Sequence, residues 1–248
     1  MFVAVAQIPP GPAALQKAAA IAGLAVADVS RVLAGTLPRI LLRAAPEGEQ
    51  IAAELTTAGF VAFAAKESAV LTDKQRIVAR NLELSPRALV AVDGGGKRQE
   101  CSSEAIGTLL RGIRLIENSE VIKTVQRKLD LGKALLTSGL SVTKKVETIS
   151  ERTTSTKEAF LLIQRRDGGP DIMLYEPRLN YQCLGPDLQH STYGNLMALL
   201  ARLRALAPEA PLDERITRPG FLAGLPLMAL DPVDLAVFLV TAARQRGC

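Results

Sequence analysis

Four basic residues, Lys144, Lys145, Arg152 and Lys157, come nearest to a binding patch by type and spacing. They lie in a stretch between Arg111 and Arg166 that holds twelve Lys or Arg against six Asp or Glu. That segment alone is +6, while the whole chain is +5. A localised positive excess attracts phosphates, an acidic partner or an anionic membrane surface. Successive side chains of a strand point to opposite faces, so Lys144 and Arg152 should share one face, and Lys145 and Lys157 the other. Glu147, Glu151 and Glu158 are interleaved with them. The charge is split and diluted, which predicts a solvated hairpin and no tight nucleic-acid binding at physiological salt.

Other motifs fail on spacing. Gly94-Gly95-Gly96-Lys97 resembles a phosphate loop, but that loop needs Gly four residues before its Gly-Lys and Ser or Thr after it. Ala91 and Arg98 occupy those places, so Asp93–Gly96 reads as a hairpin turn. Pro170-Asp171 and Glu176-Pro177-Arg178 echo a nuclease metal site, with too short a spacing and a proline in the strand. His190, the one histidine, sits among polar neighbours before a helix as a turn or capping residue. No nucleophile elbow, HExxH, GxGxxG or Cys/His metal spacing occurs. The residues therefore predict a protein that is not an enzyme and has no cofactor or metal.

The background composition agrees. At 248 residues the chain is long enough for two small domains, and 48% apolar content supplies their cores. Aromatics are 4% with no Trp, which leaves few platforms for stacking bases or sugars. Cys101, Cys183 and Cys248 are far apart and form no CxxC, so reduced thiols and a cytoplasmic location are expected. No run approaches the ~18 apolar residues of a spanning helix. The first residues, ending at Pro9-Pro10, read as a strand rather than a signal peptide.

Residues 1–66 read strand, helix, helix, strand, helix, strand. The strand at 2–8 is followed by a helix opened by Pro12 and capped by Gly23, then a helix at 28–33 closed by Gly35. A strand with Ile40-Leu41-Leu42 precedes a helix opened by Pro46, with Ile51, Ala52 and Leu55 facing inward. Ala58-Gly59 closes it, and 60–64 is the last strand. These start and stop signals predict that 1–66 folds on its own.

On Gly23-Leu24-Ala25-Val26, Val32-Leu33, Glu54-Leu55-Thr56-Thr57-Ala58-Gly59 and Phe60-Val61-Ala62-Phe63, this segment resembles the C-terminal domain of the ribosomal stalk protein L7/L12, a fold shared with the ClpS adaptors. The resemblance implies a βααβαβ fold over about sixty residues. It does not carry the family's activity across. Gln16, Ala19, Ala27 and Ser30 stand where the stalk domain docks factors with basic residues. His190 lies outside the segment, so the ClpS grip on peptide amino termini is missing too. What the resemblance leaves is a platform with an Ala-rich helix face for packing on another protein.

After a polar connection at 67–74, the pattern turns β-rich. Strands are predicted at 76–84, 88–92, 105–116 (bent near Gly112), 142–149, 159–166, 172–175 and 180–183. The arms 142–149 and 159–166 are joined by a polar connection at 150–157, and the apolar stretch 129–141 is expected to fill the end of a barrel. A helix capped by Ser191 or Thr192 presents Leu196, Leu199, Leu200, Leu203 and Leu206 as one stripe. In element order, residues 70–208 resemble a pleckstrin-homology-like β-domain, mainly antiparallel and closed by a C-terminal helix. Arg80, Arg87, Lys97 and Arg98 do not reproduce that family's lipid-binding cluster. A helical tail at 209–248 ends in a helix with Asp231 as N-cap, Pro232 in its first turn and Leu235, Phe238 and Leu239 as its apolar face.

The class is thus α+β, in three parts: 1–66, 70–208 and 209–248. The expected function is a non-enzymatic interaction adaptor or scaffold, its partner another protein or a second copy. The alternative is a basic surface that binds anionic lipid or nucleic acid through the segment from Arg111 to Arg166, with peripheral membrane contact. Salt dependence separates the two, because phosphate contacts weaken steeply with salt and apolar ones do not.

Overall fold

A computed structural model describes residues 1–129 and 143–248, with side chains over 1–114, 116 and 156–248. The protein is α+β. It divides into two compact units, Met1–Arg114 with Ala159–Cys248, and Leu115–Glu158.

The first strand, β1 (Phe2–Gln7), is the apolar run Phe-Val-Ala-Val-Ala, and such a run predicts a strand buried on both faces. It lies at the centre of an antiparallel sheet in the order β2-β1-β3, with β2 at Arg39–Leu42 and β3 at Val61–Ala65. Val3 and Val5 face three helices, α1 (Ala14–Ala22), α2 (Val26–Leu33) and α3 (Gly48–Thr57), and meet Ala18, Val29, Leu33 and Leu55. Gly23 takes a left-handed φ of 65° and ends α1, as its sequence position predicts. Ala19, which stands where the resembled stalk domain carries a basic docking residue, is buried in this core.

The opposite face of β1, carrying Phe2, Ala4 and Ala6, is buried as well. Its cover is the last helix. Asp231 caps that helix, α5 (Pro232–Arg244), by accepting the Val233 amide at 2.7 Å. Leu235, Leu239, Ala242 and Ala243 pack on the three-stranded sheet, and the Phe238 ring meets Phe2 edge-on at 6.0 Å. Val233, Ala236, Val237 and Val240 pack the other way, against the larger sheet. A helix apolar all round must be buried on all sides, and α5 satisfies this by lying between two sheets.

The larger sheet has the order β10-β7-β8-β9-β4-β5-β6. Its strands are β4 (Ile77–Leu84), β5 (Ala88–Asp93), β6 (Arg98–Ser102), β7 (Ile106–Leu129), β8 (Thr143–Arg165), β9 (Ile172–Tyr175) and β10 (Leu212–Asp213). Two ladders, β4–β9 and β10–β7, are parallel, so the sheet is mixed. Alternation divides its core cleanly. Ala159, Leu161, Ile163, Ile172 and Leu174 face α4 (Thr192–Leu206), while Phe160, Leu162, Met173 and Tyr175 face α5. Ser191 caps α4 by accepting the Gly194 amide at 3.0 Å, and Leu196, Leu199, Leu200 and Leu203 are its buried stripe.

Three local expectations are corrected. The strand expected at 105–116 runs to Leu129, and at Gly112 a Cβ would lie 2.1 Å from Phe160 Cζ, so the missing side chain makes room for that ring. The two arms at 142–149 and 159–166 are one strand, β8, because the Thr-rich 150–157 segment continues it; β-branched residues favour the extended backbone over a loop. Its hairpin partner is β7. Residues 180–183 contribute only a bridge from Asn180 to Asn81, after which a 3₁₀ segment, Gln182–Asp187, is held by Arg202 through the Cys183 and Leu184 carbonyls. The apolar segment 130–141 lies outside the described residues.

Candidate functional site

The structure places Lys144, Lys145, Arg152 and Lys157 on the single strand β8. Lys157 is exposed, and the side chains of the other three lie outside the described ones. The surrounding basic excess is smaller than its sequence suggests, because the residues at both ends of the stretch are engaged. Arg111 pairs with Glu214 at 2.8 Å. Arg114 stacks over the Tyr175 ring at 4.2 Å. Arg165 pairs with Asp167 at 2.5 Å and donates to the Glu100 carbonyl, and Arg166 donates to the Ile106 carbonyl at 2.7 Å. The span 115–158 keeps eight basic residues against six acidic ones, an excess of only two.

The motif-like residues are likewise occupied. Asp93 Oδ1 accepts the Gly95 and Lys97 amides at 2.8 and 2.9 Å, so the glycine turn that resembles a phosphate cradle is filled by its own carboxylate. Asp171 accepts the Arg165 amide, and Glu176 accepts the Ala159 amide and the Thr192 hydroxyl. These oxygens hold backbone in place. Among the described residues no group of three or more His, Cys, Asp or Glu is arranged to hold a metal. His190 is exposed in the turn before α4.

A further polar cluster carries no motif in the sequence. A groove of about 330 Å³ is lined by Thr72, Asp73, Lys74, Arg114, Tyr175 and Asp234, among others. The Tyr175 hydroxyl donates to Asp73 Oδ2 at 2.8 Å, and Arg114 and Arg178 both stack on its ring, at 4.2 and 4.7 Å from the centroid. Asp73 Oδ1 is 3.6 Å from Arg76 Nη1, which also donates to Asp234 Oδ1, while Nη2 donates to the Leu71 carbonyl. Burial, then the bond to Asp73, push the Tyr175 phenol well above its usual range. Burial raises the Asp234 carboxyl against the pull of Arg76. Arg76 is spent on internal partners. The network binds β4 and β9 to the first turn of α5, where a carboxylate also meets the positive helix end. Its members are 158 residues apart at the Arg76–Asp234 contact. The only local signal was Asp73 three residues before Arg76.

No family model, curated protein or solved structure matches this chain. Among the described residues, no helix is long and apolar enough to cross a membrane.

Proposed function

We propose that the protein is a non-enzymatic, cytoplasmic interaction adaptor whose partner-binding element is the β7–β8 ribbon. One observation carries the reading. β7 and β8 are 24 and 23 residues long, yet their outer neighbours, β10 and β9, have two and four. Most of both outer edges extends beyond those neighbours, and a strand edge offers a row of amides and carbonyls to an incoming strand. The partner is another protein, or a second copy pairing edge to edge. The element order of residues 1–66 supports the stalk-like reading of that segment, and the larger sheet with α4 supports a pleckstrin-homology-like one in part; both remain scaffolds here.

The competing reading, a phosphate- or lipid-binding basic stretch, is disfavoured by the engaged arginines. Affinity for a phosphate backbone scales with the number of phosphates neutralised, and an excess of two leaves a weak, steeply salt-sensitive attraction.

Proline substitution tests the adaptor reading. Alternate strand residues direct their amides outward, so of Thr148→Pro and Ile149→Pro one blocks the outer edge and the other breaks the ribbon ladder. Affinity capture from native cells should retain the same partner in high and low salt, and lose it with the edge-blocking variant while the thermal melt is unchanged. Partner retention by both variants, or submicromolar nucleic-acid binding by fluorescence anisotropy, would overturn the proposal.

A further inference from the structure

We infer that the surface concavity beside β10 and α5 is a binding site for a phosphate group. The concavity encloses about 570 Å³, and its charged lining is Asp213, Glu214, Arg215, Arg218 and Arg244. It is remote in sequence from the β7–β8 ribbon, and the inference does not rest on the adaptor reading.

The charge balance is uneven. Glu214 is taken by Arg111. Asp213 is then the one side-chain carboxylate left for Arg215, Arg218 and Arg244. Its side chain is 4% exposed and accepts from Arg215 at 2.7 Å and from Arg244 at 3.2 Å. Four arginines therefore face two side-chain carboxylates and the main-chain oxygen of Cys248 that Arg215 reaches, so arginine stays in excess.

Some donors are left over. Arg215 uses Nε and Nη2 on Asp213 and the main-chain oxygen of Cys248, and its Nη1 has no acceptor among the described residues. Arg244 uses Nη1 alone. Arg218 is exposed, and its side chain has no hydrogen-bond or ion-pair partner among the described residues. Asp213 sits behind Arg215 and Arg244 and fixes both forks, so a ligand need not immobilise those side chains itself. Planar guanidinium forks match the oxygens of a phosphate and bind it in pairs. A buried carboxylate that holds two partly buried arginines beside an exposed third is thus an arrangement for receiving a compact, multiply charged oxyanion.

A free phosphate compound and a phosphate lipid headgroup share this chemistry, and the experiment separates them. Pyrophosphate is titrated into the full chain by calorimetry at fixed ionic strength, and vesicles with and without phosphatidic acid are tested by co-sedimentation. Pyrophosphate should bind with Kd below about 1 mM. Arg218→Ala should weaken it about tenfold with an unchanged melt, since that side chain holds nothing in the fold. Arg244→Gln should weaken it further. Binding to phosphatidic acid vesicles alone, lost in Arg218→Ala, assigns the site to a headgroup. Neither ligand binding, or binding that Arg218→Ala leaves unchanged, overturns the inference.

Discussion

Gly112 and Phe160 occupy one space between neighbouring strands. The Phe160 ring lies where a side chain at 112 would project, with Ile216 Cγ2 only 2.9 Å from the same point. Phe160 is fully buried and is part of the core that joins the larger sheet to α5.

Adding one methyl there should be costly. Gly112→Ala overpacks a closed site, where such changes cost about 1–3 kcal/mol and a 2.1 Å approach points to the upper end. Phe160→Leu in the same chain should recover part of the loss. Urea unfolding of the two single variants and the double variant measures the coupling; additive effects would contradict the packing account.

Arg76 and Asp234 should behave as a buried pair. Their side chains are 1% and 10% exposed. Asp234→Ala leaves the buried guanidinium only its longer 3.6 Å contact with Asp73, so the cost should approach the about 3–5 kcal/mol of breaking a buried pair. Replacing both, with Arg76→Met and Asp234→Leu, should restore most of the stability, because neither charge then has to leave water. Equal melting points for Asp234→Ala and the unaltered chain would refute this.

Helix α5 should act as the shared core of two sheets. Leu239→Ala removes packing on the small sheet and should cost about 2–5 kcal/mol. Both sheets should melt in one transition in this variant. A fragment of residues 1–66 would expose Phe2, Ile40 and Phe63, so it should bind an apolar dye or self-associate, in contrast to the autonomous folding its local signals suggest. Dye binding and sedimentation of the fragment decide the matter.

Acid should act on Asp213. Burial opposes its charged form, but the hydrogen bonds from Arg215 and Arg244 overcome that and hold the carboxyl below its ordinary range. A lowered folded pKa adds stability that is complete above the unfolded value of about 3.9, and is lost as pH falls through the folded value. Asp213→Asn should therefore destabilise the protein most at neutral pH, and the gap to the unaltered chain should close in strong acid. Urea midpoints at pH 7 and in acid test the sign.

Local signals were legible wherever a few adjacent residues set the outcome. The order of elements in 1–66, the Gly23 stop, the Ser191 and Asp231 caps and the Asp93 turn all follow from residues within one or two turns of chain. The run at Phe2–Ala6 likewise announces burial on both faces, since no polar residue interrupts it. What covers the second face was not legible, because α5 comes more than two hundred residues later and its apolar residues are compatible with any apolar surface. What Gly112 makes room for was hidden for the same reason: the ring that needs its space is 48 positions away. Charge misled most. Sequence counts Arg111, Arg114, Arg165 and Arg166 toward a basic surface, whereas the tertiary fold brings each to an acid, a ring or a carbonyl that neutralises or occupies it. Secondary structure depends on neighbours along the chain, and the availability of a charge depends on neighbours in space; only the folded chain decides the second.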